Sequence, residues 1–134
     1  MFLFCLFRRF QFYRKEVTWV EAVSECRKLG GNLAEVRSQK QFDAIKKIHD
    51  HQRTFVWLGG CDEHRNQIWT WLSDGKRITG NNPFWRPNEP NNSGGKEFCL
   101  EFRGKGLNDI PCFGKDSFVC EFGARGSNVE LCEN

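Results

Sequence analysis

Seven cysteines in a chain of 134 residues constrain this sequence more than any other feature. A domain this small with so many thiols reads as a disulfide framework. Disulfides persist in an oxidising compartment, so the chain is expected to be secreted or extracellular. The competing reading, a reduced protein with a zinc site, needs a tight ligand cluster such as paired CxxC units. Cys61-x-x-His64 is the only near match, and it has no second half at a usual spacing. The odd count leaves at least one cysteine free or paired between chains.

The length suits one domain around one core. Hydrophobic residues at 39% and aromatics at 14% are enough to fill that core with large rings. The net charge of +3 is too small and too dispersed to point to a nucleic-acid partner, and Arg8-Arg9 and Lys46-Lys47 read as solvated surface. Met1–Phe7 is apolar, but a secretory leader carries its positive charges before a longer apolar run, and here Arg8 and Arg9 come after it. The run is also too short to span a bilayer, so no membrane span is expected. Residues 1–9 thus form an N-terminal segment of unclear role, and the chain is expected to be a fragment of a longer precursor or to have a mis-assigned start.

Along the chain, Phe10, Phe12 and Tyr13 suggest a short first strand. Thr18-Trp19-Val20-Glu21 is a capping box followed by apolar residues at Trp19, Ala22, Val23, Cys26 and Leu29, one face of a helix that Gly30-Gly31 should end. Asn32 to Val36 bridges to a second capping box, Ser38-Gln39-Lys40-Gln41. A helix with Phe42, Ile45 and Ile48 on its apolar side follows and ends near His49 to His51. These histidines read as exposed helix-end residues. Phe55–Leu58, closed by Gly59-Gly60, is a strand, and so is Gln67–Leu72 before the turn Ser73–Lys76. Ile78 to Lys96 is rich in Asn, Pro, Gly and Ser and reads as a long irregular loop of the functional kind. Phe98, Leu100 and Phe102 alternate as a strand, as do Phe118, Cys120 and Phe122. The pattern is an α+β domain over 10–122, with two helices, short antiparallel strands and one long loop, followed by a loose tail over 123–134.

The chemistry concentrates in that loop. Glu89-Pro90-Asn91 is followed by Glu97, and farther on by Asn108-Asp109. Three carboxylates and two amides are hard oxygen donors of the kind calcium prefers, roughly six to eight oxygens near 2.3–2.6 Å. The layout is not an EF-hand loop.

With these marks the chain resembles a C-type lectin carbohydrate-recognition domain over Phe10 to Phe122. Trp57-Leu58-Gly59-Gly60 resembles the family's W-I/L-G-x motif. Cys26, Cys99, Cys112 and Cys120 resemble its framework cysteines, Glu89-Pro90-Asn91 its EPN tripeptide, and Leu107-Asn108-Asp109 its Trp-Asn-Asp. The resemblance implies Cys26–Cys120 and Cys99–Cys112 bridges and a Ca2+ cofactor held by Glu89, Asn91, Glu97, Asn108 and Asp109. It also implies a cis peptide before Pro90 that turns the flanking side chains toward one ion. Two adjacent sugar hydroxyls would complete the calcium shell, one held by Glu89 with Asn91 and the other by Glu97 with Asn108. The Glu-then-Asn order implies mannose, glucose, N-acetylglucosamine or fucose as ligand. The reversed Gln-Pro-Asp order is the galactose version, and no aromatic follows the tripeptide to stack on galactose.

The sequence departs from the family in places. A second calcium would draw on Asp62, Asn66, Asn92 and Phe98, of which only Asp62 is acidic, so this auxiliary site is expected to be absent or weak. Leu107 replaces a tryptophan as another buried residue. Asn91-Asn92-Ser93 is a formal glycosylation sequon that calcium binding requires to stay unmodified. Cys5, Cys61 and Cys132 fall outside the framework. Cys61 with Cys132 is one possible extra disulfide, and Cys5 is a candidate for a link to another chain. Three functional classes follow. The first is calcium-dependent glycan binding, on an oligomer or as part of a larger protein. The second is a lectin-like domain that recognises a protein or another surface without sugar. The third is an enzyme using Glu89 and Glu97 as a glycosidase pair. The last is set aside because metal ligands stay ionised while a general acid must hold its proton.

Overall fold

The computed structural model describes residues 9–123. In chain order these form β1 (Arg9–Val17), α1 (Trp19–Lys28), β2 (Asn32–Leu33), α2 (Gln39–Gln52), β3 (Val56–Cys61), β4 (Trp69–Trp71), β5 (Arg77–Ile78), β6 (Cys99–Arg103), β7 (Gly106–Ile110) and β8 (Asp116–Phe122). A 3-10 turn at Ser93–Gly95 lies in the long loop. The first and last strands lie side by side: β1 and β8 pair antiparallel, with Phe12 opposite Val119 and Tyr13 opposite Phe118. The sheet runs β1-β8-β3-β4-β5, with β2 on β8 and the β6–β7 hairpin joined through β6 to β3. The pairings are antiparallel except for β3 with β8, which run parallel.

Both helices start where the capping residues place them. Thr18 and Glu21 cap each other reciprocally at the start of α1. The helix stops at Gly30, whose φ of +87° suits a residue without a Cβ and whose N–H bonds back to the Arg27 carbonyl. At α2 only half of the expected box forms. Ser38 accepts from the Gln41 N–H, but the Gln41 side chain accepts from the N–H of Arg37 rather than of Ser38. The helix runs to Gln52, and His49 is not the exposed end residue its position suggests. It is buried, its Nε2 accepts from the Gly104 N–H at 3.0 Å, and its ring lies 5.3 Å from that of Phe102. It packs α2 onto the turn between β6 and β7.

The core has two lobes. Trp69, Trp71, Trp85, Leu58, Leu100, Phe102 and Leu107 fill one, and Trp57, Val23, Leu33, Phe118 and the framework cysteines fill the other. Trp57 is fully buried and its indole N–H finds the Val17 carbonyl at 2.7 Å, so its single polar atom carries no desolvation penalty. The strand expected over Gln67–Leu72 shortens to β4, because Gln67 adopts a positive φ of 68° that leaves the strand conformation. Cys26–Cys120 and Cys99–Cys112 are both formed. The candidate Cys61–Cys132 bridge falls on Cys132, which like Cys5 lies outside the described residues. Among the described residues Cys61 is a free thiol, enclosed at the end of β3 opposite Cys99. No described helix is long and apolar enough to cross a membrane.

Cys26–Cys120 joins α1 to β8 across a sequence separation of 94. In the chain-entropy account, a cross-link over so long a loop is worth about 4.7 kcal/mol. The double substitution Cys26→Ala with Cys120→Ala should therefore lower unfolding stability by about that much in urea titration. A loss below about 1 kcal/mol would show that the bridge does not restrain the unfolded chain.

Candidate functional site

The long loop is irregular, as its composition indicates, but it is not loose. Trp85 plugs into the core, donates its indole N–H to the Thr79 carbonyl at 2.9 Å, and meets Trp69 edge-on. On either side of it the backbone ties to β7: Leu107 N–H donates to the Phe84 carbonyl at 2.8 Å, and Arg86 N–H donates to the Leu107 carbonyl at 3.0 Å. Gly106 makes this approach possible, since a Cβ there would run into the Phe84 carbonyl. The buried Leu107, where the resembled motif has tryptophan, is thus the docking point of the loop.

Beyond that anchor the chain turns through a cis Glu89-Pro90 peptide, as expected. Side-chain oxygens then close the loop against its own backbone. The Asp109 carboxylate accepts from the N–H groups of Asn91 (3.2 Å) and Asn92 (2.7 Å). The Ser93 N–H donates to Glu97 Oε1 at 2.9 Å and to Asn91 Oδ1 at 3.1 Å, and the Glu97 N–H donates to Asn92 Oδ1 at 3.0 Å. The result brings all five expected residues, Glu89, Asn91, Glu97, Asn108 and Asp109, to the wall of one cavity of about 320 Å³.

The electrostatics of that cavity are those of a cation site. Glu89 Oε1 is buried and meets no donor. Burial, and next the neighbouring Asp109 carboxylate, push the Glu89 carboxyl up to about 7. Glu97 is also raised, by burial and then by Asp109. An orphaned carboxylate oxygen and two carboxyls raised by burial and by a neighbouring carboxylate are what a bound divalent ion would relieve, and oxygen-only donors suit calcium. No three His, Cys, Asp or Glu side chains among the described residues form a metal cluster by themselves, so the two asparagines are needed to complete a shell here.

Two features of the site escape a reading of the sequence. Arg86 approaches Glu89 at 4.0 Å and Arg103 lines the same wall, so the acidic cavity has basic edges. Behind it lies Glu101, which is fully buried, takes a 2.8 Å bond from Asn108 Nδ2 and also pairs with Arg103. That contact fixes which end of the Asn108 amide donates and leaves Oδ1 as its acceptor. The alternation of Leu100 and Phe102 marked the strand. Its intervening Glu101 carried the signal, as a carboxylate directly opposite Asn108.

The residues resembling the auxiliary calcium set are arranged differently. Asp62 gives both oxygens to its own turn, accepting from the N–H groups of Asn66 (3.1 Å) and Gln67 (2.8 Å). The Arg65 guanidinium lies over the Phe98 ring at 5.0 Å. The buried Cys61 thiol is pushed up to about 11 by burial and by the nearby Glu63 and Asp62 carboxylates. His64 is exposed beside Glu63.

The sequence profile of the lectin C-type domain matches residues 15–122. The chain belongs to the C-type lectin domain family. It is 28% identical over 103 residues to CD209 antigen-like protein 2 of Macaca mulatta, covering 77% of this chain and 40% of that protein. It is 34% identical over 136 aligned residues to ladderlectin of Oncorhynchus mykiss, covering 95% of this chain and 66% of that one. The chain therefore spans less than half of the CD209-like relative. Among solved structures, the cow CD23 C-type carbohydrate-recognition domain, in the presence of a GlcNAc2Man3 oligosaccharide, matches with a TM-score of 0.76 at 25% identity over 89% of this chain and 90% of that one. Herring type II antifreeze protein matches with 0.73 at 26% identity, over 88% and 92%. The α+β C-type lectin fold is thus shared by proteins of different function, so the site must carry the functional argument.

Asp116 supplies a test of the polar layer behind the site. Its Oδ2 and Glu101 Oε1 are both buried without a donor, and burial together with Glu101 pushes the Asp116 carboxyl up to about 8. One proton held on Asp116 and donated to Glu101 satisfies both atoms. The folded chain then holds a proton that the unfolded chain releases above its ordinary carboxyl range, so this pair makes stability fall as pH rises toward about 8. Asp116→Asn, which keeps a donor, should flatten that slope and stabilise the protein more at pH 8 than at pH 4 in thermal melts. An equal effect at both pH values would contradict the shared proton.

Proposed function

We propose that this domain binds a carbohydrate through one calcium ion held by Glu89, Asn91, Glu97, Asn108 and Asp109. The observation that carries the reading is the convergence of these five oxygen-bearing side chains on one cavity, with a buried Glu89 oxygen left without a partner. Bound there, calcium supplies a Lewis-acidic centre that accepts two neighbouring sugar hydroxyls as ligands. The chain's own groups do the rest. Glu89 and Glu97 accept hydrogen bonds from the hydroxyls, and the amides of Asn91 and Asn108 donate to them, so the same side chains read both metal and sugar. Glu101 holds the Asn108 amide in the orientation that this role requires.

The Glu-then-Asn order around Pro90 favours mannose-type ligands over galactose, and the cow CD23 domain solved with GlcNAc2Man3 is a structural neighbour consistent with that preference. Among the described residues no Ser-His-Asp or Cys-His arrangement suggests catalysis, and the ionised ligand role proposed for Glu89 and Glu97 argues against a glycosidase. The two framework disulfides fit a secreted or extracellular setting. A single site with two direct hydroxyl contacts binds a monosaccharide weakly. Useful affinity then requires several copies facing a repetitive cell-surface or microbial glycan, in an oligomer or in a larger parent protein. The second reading, recognition of a protein or another surface without sugar, draws on the antifreeze neighbour, which has this fold.

The protein should be retained on immobilised mannose with calcium, and be released by a chelator and by free mannose but not by galactose. Glu89→Gln should weaken calcium binding tenfold or more, about 1.4 kcal/mol. Calcium affinity should also fall as pH drops below about 7, because a proton on Glu89 competes with the ion. Absence of retention on any immobilised glycan, with calcium bound, would favour the second reading.

A further inference from the structure

A second cavity, of about 560 Å³, lies against the first. The segment 91–97 is the partition. Asn91, Ser93 and Glu97 face the acidic cavity, while Asn92, Gly95 and Lys96 face the other. The segment after β7 divides in the same way, with Ile110 and Pro111 on one side and Cys112 and Phe113 on the other. The volume falls within the range of about 300–1,000 Å³ typical of small-ligand sites.

The charge of this second cavity is opposite to that of the first. Arg65 and Lys96 line it, and neither is in an ion pair among the described residues. The Arg65 guanidinium lies over the Phe98 ring, 5.0 Å from its centroid, a cation–π contact that favours holding its N–H groups at this wall. Phe113, 74% exposed, adds a large apolar face at the rim. Two cations without an ion pair among the described residues, one of them over an aromatic face, beside an exposed ring form a surface for a pyranose with an acidic substituent. The ring stacks on the apolar face of the sugar, and the cations take its negative group.

We propose that this cavity is a subsite for an anionic sugar, a pyranose carrying a sulfate or carboxylate, next along the glycan whose neutral residue sits in the calcium cavity. The extended form of the inference rests on the reading of that first cavity. The subsite's own affinity for an anionic sugar does not. The pairing makes the domain selective for acidic glycans: a neutral chain gains nothing from the second cavity, and an acidic one gains two charge contacts.

The test compares a neutral mannose-containing disaccharide with the same disaccharide bearing a 6-sulfate, or a uronic acid, on its second sugar. Calorimetry at low salt is run on wild-type protein and on Arg65→Gln/Lys96→Gln. The wild type should bind an acidic form about five-fold more tightly, and the variant should lose that preference with neutral binding unchanged. The sulfate and uronate arms identify which anion the cations take. Equal wild-type affinity for neutral and acidic forms, or a preference that survives in the variant, would overturn the subsite. Should no disaccharide bind, the calcium-site reading fails, and amide NMR titration in chelator with N-acetylglucosamine 6-sulfate and glucuronate decides the subsite alone. Shifts at Lys96, Phe98 and Phe113 that vanish in the variant and are absent with N-acetylglucosamine sustain it, and silence at millimolar sugar refutes it.

Discussion

Like charges do not share a small cavity without a counter-charge, yet Glu89, Glu97 and Asp109 do share one. Part of the repulsion is absorbed by backbone donors: Asp109 takes two N–H groups from the loop and Glu97 takes one. Arg86 stands at the edge, 4.0 Å from Glu89, and pulls its carboxyl down by less than burial and Asp109 push it up. The remainder appears in the raised Glu89 carboxyl and its unpartnered oxygen. A fold that gathers carboxylates and leaves one oxygen unsatisfied stores a demand for a cation, and the rest of the molecule is arranged to maintain that demand.

The scaffold does so by fixing both sides of the cavity to one hairpin. β6 and β7 pair in register from Cys99–Ile110 to Arg103–Gly106, and Cys99–Cys112 closes the hairpin at its base. Glu97 enters just before that disulfide and Asp109 leaves just before it, so the bridge limits how far the two carboxylates can separate. The loop, in turn, hangs from Trp85 and Leu107. Its irregular backbone is therefore a consequence of where its hydrogen bonds go: to β7 and to carboxylates, rather than to a neighbouring strand.

Much of this was legible in the residues. Capping chemistry and apolar periodicity located both helices, because helix starts are local events that Thr18, Glu21 and Ser38 decide within a few residues. The five residues that line the acidic cavity and the disulfide framework were singled out through resemblance, since tripeptides and cysteines carry meaning only in combination. What stayed hidden depended on partners distant in sequence. β7, Gly-Leu-Asn-Asp-Ile, is not marked as a strand by its pattern, and it is a buried strand because Glu101 and the loop backbone satisfy its polar side chains. His49 reads as a helix-end cation and is buried because Gly104, far along the chain, donates to it. Cys61 reads as a bridge candidate, and among the described residues it is a buried thiol. Nothing in the sequence marks Arg65, and only the fold brings it over Phe98 and to the same cavity wall as Lys96.

The central claim is that a divalent ion in the acidic cavity forms the surface that a saccharide touches. A crystal structure grown with calcium and a methyl mannoside tests it most directly. The account predicts one ion bound by Glu89, Asn91, Glu97, Asn108 and Asp109, with two adjacent mannose hydroxyls completing its shell. An empty cavity under saturating calcium, or a mannoside seated away from the ion, would contradict it.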